Sequence, residues 1–334
     1  MDLLLSIPVL TYFWAPYPPS WSTSLNILLF TISWGTLVMS HDPIKVHLVG
    51  VAAIRLVFWL APSLIFLLFD VGLPSVAESI KHGGRAGLPP RNRRALTQLL
   101  LLALFNTAFL LAVEGACSYA HAVAFGKPEF LTTTTLPFPW QIAKHIAMAF
   151  IAREVLQYYI HRFLLHGASS SPVARLHASY AHSRPSAPFS LQVLADHPLP
   201  LLLHRFLPLY LPAVLIRAHL LTYFVFAALC TLEETLSMSG YTVVPGIVMR
   251  GLGQRCAIHY ASGGGANFGA YGVADWAHGT SRGRGVLEDL QAEAEKHQLQ
   301  ERAGDKVGEG ASMVQGGLDA LRGKKGKRRT AKEI

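Results

Sequence analysis

Residues 139–166 read PWQIAKHIAMAFIAREVLQYYIHRFLLH. From Pro139 to Ile160 the run is mostly apolar and about as long as a bilayer-crossing helix needs to be, and it ends on two histidines, His161 and His166. Working outward, three further stretches qualify as spans by the same rule, at about 22–40, 46–72 and 95–116. KHGGRAGLPPRNRR, residues 81–94, separates the second span from the third, and its positive charge places it in the cytosol. Counting spans from that loop puts 117–138 on the far side and returns the chain to the cytosol near residue 161.

The composition agrees with a membrane protein. Hydrophobic residues make up 51% of the chain and charged residues 15%, against about 25% charged in soluble domains. The net charge of +9 gathers at 81–94 and 322–332, beside apolar spans, which favours anionic lipid over nucleic acid as its partner. Cys117, Cys230 and Cys256 are too scattered for a disulfide framework. The N-terminus lacks the basic region and cleavage site of a secretory signal, so it is expected to remain, with Trp14, Tyr17 and Trp21 as interfacial anchors.

Downstream, 198–232 is apolar but interrupted by Pro198, Pro200, Pro208 and Pro212, and is short for two full spans. A compressed or re-entrant hairpin is expected, with both ends on the cytosolic side. The fold class is therefore all-α: a multi-span bundle (1–160), a histidine-rich region capping its cytosolic face (161–283), and a polar basic tail (284–334) that begins as a helix and ends disordered.

The chemistry lies in the histidines. Nine of the fifteen fall between 161 and 278, four of them within 161–182. Neutral imidazoles suit iron, copper, zinc and nickel, and they cluster when a metal needs several nitrogen donors. His161 and His166 are five apart, which on a regular helix separates them by about 140°; a loosened helix end brings them together. His177 and His182 repeat the spacing in HASYAH.

QYYIHRFLLH, then LHASYAHSRPSAPFSLQVLADHPLPLLL, then RAHLLTYFVFAALCTLEETLSMSGY and CAIHYASGGGANFGAYGVADWAHGT together resemble the fatty acid hydroxylase and sterol desaturase superfamily, in that family's order across about 154–280. The resemblance implies two iron ions held by histidines of three boxes, dioxygen as oxidant, and a lipid substrate such as a sterol, fatty acyl chain or sphingoid base. It also implies an endoplasmic reticulum membrane location with boxes and tail in the cytosol, and a cytosolic-face electron donor such as a cytochrome b5-type protein, since no flavin or haem motif is present. His161 and His166 match the first box, His177 and His182 the second, and His259 the third. His197 matches an HPLE-like segment, His219 a position often histidine in sterol-oxidising members, and His278 is a further candidate ligand. Asn267, Gly269, Asp275, Gly279 and Thr280 match the segment after the third box.

The departures from the family pattern are as informative. Ala181 in the second box, Cys256 and Tyr260 in the third, and Met238 in the HSGY-like segment stand where the family pattern carries histidine. Cys256 and Tyr260 offer a thiolate or phenolate in exchange; the plainer reading is a depleted site.

Bland readings stand beside the sharp ones. Glu154 either hydrogen-bonds a ligand histidine or pairs with Arg153. His197 and His204 share a helix face and serve metal, substrate or packing. His219, inside an apolar hairpin, is functional by default, and His278 is a ligand or a turn-fixing group. Asn267 and Asp275 orient ligands or brace turns, while Arg162 and Arg175 read as interface anchors. The run GGGANFGAYG supplies backbone freedom and no phosphate loop. His41, His47, His82, His121, His145 and His297 are assigned no chemistry. Three functions compete: an iron-dependent lipid hydroxylase or desaturase, a catalytically depleted relative that binds lipid or a partner, and, ranked last, a metal transporter.

Overall fold

The computed structural model describes residues 21–167, 171–183, 188–244 and 246–283. The anchoring expected of Trp14, Tyr17 and Trp21, and the tail at 284–334, lie outside the described residues and side chains. Helix α1 covers Trp21–Ser40. Asp42 then turns its carboxylate onto the backbone N–H groups of Ile44 and Lys45, at 2.9 and 3.3 Å, and Pro43 occupies the first turn. Such a cap satisfies otherwise orphaned donors, and α2 runs from it over Pro43–Gly72. Asn92 caps α3, Arg93–Phe125, and Gly126 ends it in the left-handed conformation at φ 65°.

Pro139 opens α4, Pro139–Tyr159. After it come α5 (Pro172–Tyr180), α6 (Pro198–Leu215), α7 (Leu220–Ser237), α8 (Ile247–Ala261) and the single turn α9 (Val273–Ala277). No strand is formed among the described residues; β-type pairing there is limited to two isolated bridges.

Four helices among the described residues are long and apolar enough to cross a membrane: α2, α3, α6 and α7. Their outer faces expose large apolar side chains such as Val49, Ile65, Leu68, Leu101 and Phe105, as lipid contact requires and water would penalise. The chain is a multi-pass, all-helical membrane protein.

The set of spans differs in three places from the one expected. Among the described residues the apolar part of α1, Ser24–Ser40, falls short of a full span. Helix α4 is 21 residues long but carries Lys144, Arg153 and Glu154 and does not meet the same apolar standard. Arg153 and Glu154 are turned inward, 2% and 6% exposed, so their charges meet protein. Conversely α6 and α7 each reach 18 residues, the lower edge of what a bilayer needs, so each arm of the expected hairpin is long enough to cross.

The backbone bridges locate the loops. Leu131 pairs with His219, bringing the 126–138 loop to the α6–α7 turn. Lys81 pairs with Tyr241, and His82 N–H donates to Gly240 O at 2.9 Å, bringing the start of the basic loop to the opposite end of α7. Lys81 is buried there, and its Nζ donates to Asp70 Oδ2 at 2.5 Å. Burial draws the Lys81 ammonium down, with the Asp70 carboxylate opposing.

Polar groups tie the inner helices together. His47 and Arg55 of α2 meet Glu114 of α3 at 2.9 and 3.0 Å, and Tyr223 of α7 donates to the same carboxylate at 2.6 Å. Glu129 completes the group, 3.2 Å from His47 and accepting from Ser118. Every member has a partner, the condition under which buried charge is tolerated between apolar helices.

Candidate metal centre

The centre begins with an irregularity. At Ile160 helix α4 widens into a π-turn, Ile160–Leu165, closed by His166 N–H donating to His161 O at 2.9 Å. That bond spans five residues, where a regular helix spans four. It brings the two rings, which a regular helix would splay apart, to 4.8 Å between centroids. A second π-turn, Leu202–Phe206, interrupts α6 and carries His204, whose ring lies 4.2 Å from that of His161.

His177 sits on the last turn of α5 and His182 just beyond it, with ring centroids 5.0 Å apart. His259, from the last turn of α8, faces His161, His166 and His182 at 4.6, 4.9 and 5.0 Å. The ligand-capable nitrogens of His161, His166, His182 and His259 all lie within 4.8 Å of one another. One ion with metal–nitrogen bonds of about 2.0–2.2 Å holds donors no more than about 4.4 Å apart, so these four are gathered to nearly that size.

Three of the rings are oriented by their other nitrogen. His161 Nδ1 donates to Phe268 O at 2.8 Å, His259 Nδ1 to Ala266 O at 2.7 Å, and His177 Nδ1 pairs with Asp196 Oδ2 at 2.6 Å. These bonds fix the tautomer that leaves Nε2 as a lone-pair donor. The Nε2 atoms of His166, His177, His182 and His259 are buried without a hydrogen-bond partner. Buried polar atoms are seldom left so, and a metal ion would satisfy those of His166, His182 and His259 together. Burial, reinforced by neighbouring imidazoles, holds His161 well below the ordinary histidine value, His166 at about 2 and His182 at about 3. Burial likewise lowers His259 to about 4, although its bond to Ala266 O opposes. The rings are therefore neutral, as ligands must be.

The loop after α8 supplies the orienting carbonyls and is itself locked. Asp275, fully buried, accepts from Phe268 N, Gly269 N, Thr280 Oγ1 and Arg255 Nη2 at 2.7–2.9 Å. Asn267, at φ 57°, bonds Arg255 O and both backbone groups of Arg282. Glu154 accepts from Tyr271 N at 2.8 Å and Ala274 N at 3.3 Å. These three residues act on the histidines through the loop; Arg153 pairs instead with Glu233 and Glu234. Gly264 must be glycine twice over: its φ is +81°, and a Cβ there would come within 2.0 Å of the His166 ring.

Three candidate histidines stand apart from the cluster. His197 and His219 each accept a backbone N–H through Nδ1, from Leu199 and Leu221, and so cap α6 and α7. His219 sits by Trp34, 5.5 Å between centroids, at the opposite end of α7 from the cluster. His278 bonds Ala274 O and Tyr159 OH and stacks near Tyr158.

Two contributors carried little sequence signal. His204 was paired by helical spacing with His197, but the π-turn swings it to His161, where Gln157 Nε2 bonds it at 3.2 Å. Asp196 was unremarked beside His197; its backbone carbonyl is gripped by Asn106 of α3 at 2.7 Å. A cavity of about 80 Å³ lies against the cluster, with Gln192, Val193, Leu201, Arg205 and Leu252 among its walls.

The family model described as fatty acid hydroxylase matches residues 146–280. That stretch holds every histidine of the cluster, and over it the chain is similar to the fatty acid hydroxylase family. Fold, site and this similarity together support a membrane oxidoreductase that acts on lipids. No solved structure matches the chain.

Proposed function

We propose that the chain hydroxylates or desaturates a lipid with dioxygen, using iron held by His161, His166, His182 and His259, with His177 and His204 beside them. Iron bound by these imidazoles supplies dioxygen activation and the oxidising power to break an unactivated C–H bond. The chain's own part is positional. The Nδ1 bonds of His161, His177 and His259 keep the donors aimed, and burial keeps bulk water from the oxidising centre. The observation that carries the reading is the convergence of histidine nitrogens, unpartnered at His166, His182 and His259, from three separate stretches of chain.

Support for a lipid substrate comes from the similarity to the fatty acid hydroxylase family and from the apolar helices around the site. A lipid carbon held against the histidines would be fixed in position, and that confers selectivity. Electrons come from a cytosolic donor docked at the end of the bundle that carries the basic loop. The membrane is that of the endoplasmic reticulum.

The test is lipid mass spectrometry on cells expressing the chain under isotopically labelled dioxygen, beside cells expressing His166→Ala at equal protein level. A lipid that gains one labelled oxygen atom or loses two hydrogens in the wild type alone is expected. Identical profiles in both would favour the depleted, lipid-binding relative.

A further inference from the structure

We infer that the centre is built for one metal ion, and that the Arg205 guanidinium fills the place beside it where a second ion would need ligands. The inference rests on the proposal that the histidine cluster holds metal. The nitrogens of His161, His166, His182 and His259 gather at one point. The adjoining cavity is also lined by Ala181, Met238, Cys256 and Tyr260, the four positions at which the histidine pattern lapses. Residues far apart in sequence have thus lost their donors around one cavity.

Into that cavity the second π-turn sends a cation. His204 and Arg205 are consecutive on it: the imidazole goes to the cluster, and the guanidinium goes to Met238, one of the depleted positions. There Arg205 Nη1 pairs with Glu234 Oε1 at 2.9 Å and Nη2 reaches Met238 Sδ at 3.1 Å. Arginine stays protonated in proteins, so this is a fixed positive charge in a buried wall. A metal cation in the same space would meet it directly, with little solvent to screen the repulsion. The donors left over are also too few. His177 Nε2 is unpartnered, His204 is engaged by Gln157, and the Glu234 carboxylate is divided between Arg153 and Arg205. The ionic cluster of Arg153, Arg205, Glu233 and Glu234 thus brings both cationic charge and its own counter-charge to the wall, in place of a second ion.

The experiment is a Mn(II) titration of the detergent-purified full chain, previously stripped with chelator, read as bound ion per chain and by electron paramagnetic resonance. Saturation near one ion per chain, with the spectrum of an isolated Mn(II), is expected. Saturation at two, or an exchange-coupled spectrum, overturns the inference and leaves the proposed metal centre standing. No binding, or binding unchanged in His166→Ala, removes the metal centre and the inference with it. Arg205→Gln, which removes the charge and frees Glu234, is expected to admit a second, weaker ion. A variant that folds and still saturates at one contradicts the role given to Arg205; should it not fold, the wild-type count alone decides.

Discussion

Asp196 shows how much of the centre depends on residues that are not its ligands. Its carboxylate holds His177 through Nδ1 at 2.6 Å, and Asn106 grips its backbone from a neighbouring helix. Removing such a partner typically weakens a metal site by about 10–100-fold. Asp196→Ala is therefore expected to lower metal affinity in that range with little change in fold, measured by chelator competition. Unchanged affinity would mean that the His177 ring needs no holding or takes no part. Gly264 is a harder constraint. A Cβ at this position collides with the His166 ring, and the positive φ penalises any side chain. Gly264→Ala is expected to lose most bound metal while the helices persist by circular dichroism; retained metal would show that the loop can move away from the ring.

Among the elements, the π-turn after α4 has the largest consequence. Five residues between two ligands is a poor interval for a regular helix, and the single widened turn makes it a good one. Deleting Phe163, which is exposed within that turn, leaves four-residue spacing. Four residues keep two rings on one face of a regular helix, so the deletion is expected to restore regular helix and retain metal, measured as bound ion per chain in a protein that still purifies as a single species. Lost metal would show that the site needs the π-turn itself and not only the shared face it creates. The same turn marks the boundary of what could be read from sequence. The paired spacings of His161/His166 and His177/His182, together with His259, were legible because ligands recur in patterns, and the spans because lipid demands long apolar runs. Helical periodicity placed His204 with His197, since it carries no signal for an inserted π residue. The charged α4 passed as an ordinary span because hydropathy does not tell whether Arg153 and Glu154 point to lipid or to protein. His219 and His278 looked functional because a polar ring in apolar surroundings is costly; their capping and turn bonds offset that cost.

At the scale of the whole molecule, apolar helices hold a buried set of neutral imidazoles, and that has a pH signature. An unfolded chain titrates its histidines near 6.5, whereas His161, His166, His182 and His259 are all lowered in the fold, His259 to about 4. The unfolded state therefore binds more protons below about pH 6.5. Stability is full above that value and declines as pH falls from there towards about 4. Chelator-stripped protein is expected to show a falling Tm between pH 7 and pH 5, and a flat profile would mean that the rings are not buried as neutral groups. The central claim, that imidazoles from separate stretches of chain hold iron at one place, is tested most directly by X-ray absorption at the iron edge on purified, iron-loaded protein. A first shell of nitrogen and oxygen with outer-shell imidazole scattering, and no sulfur, is predicted. A shell containing sulfur, or one without imidazole, would contradict it.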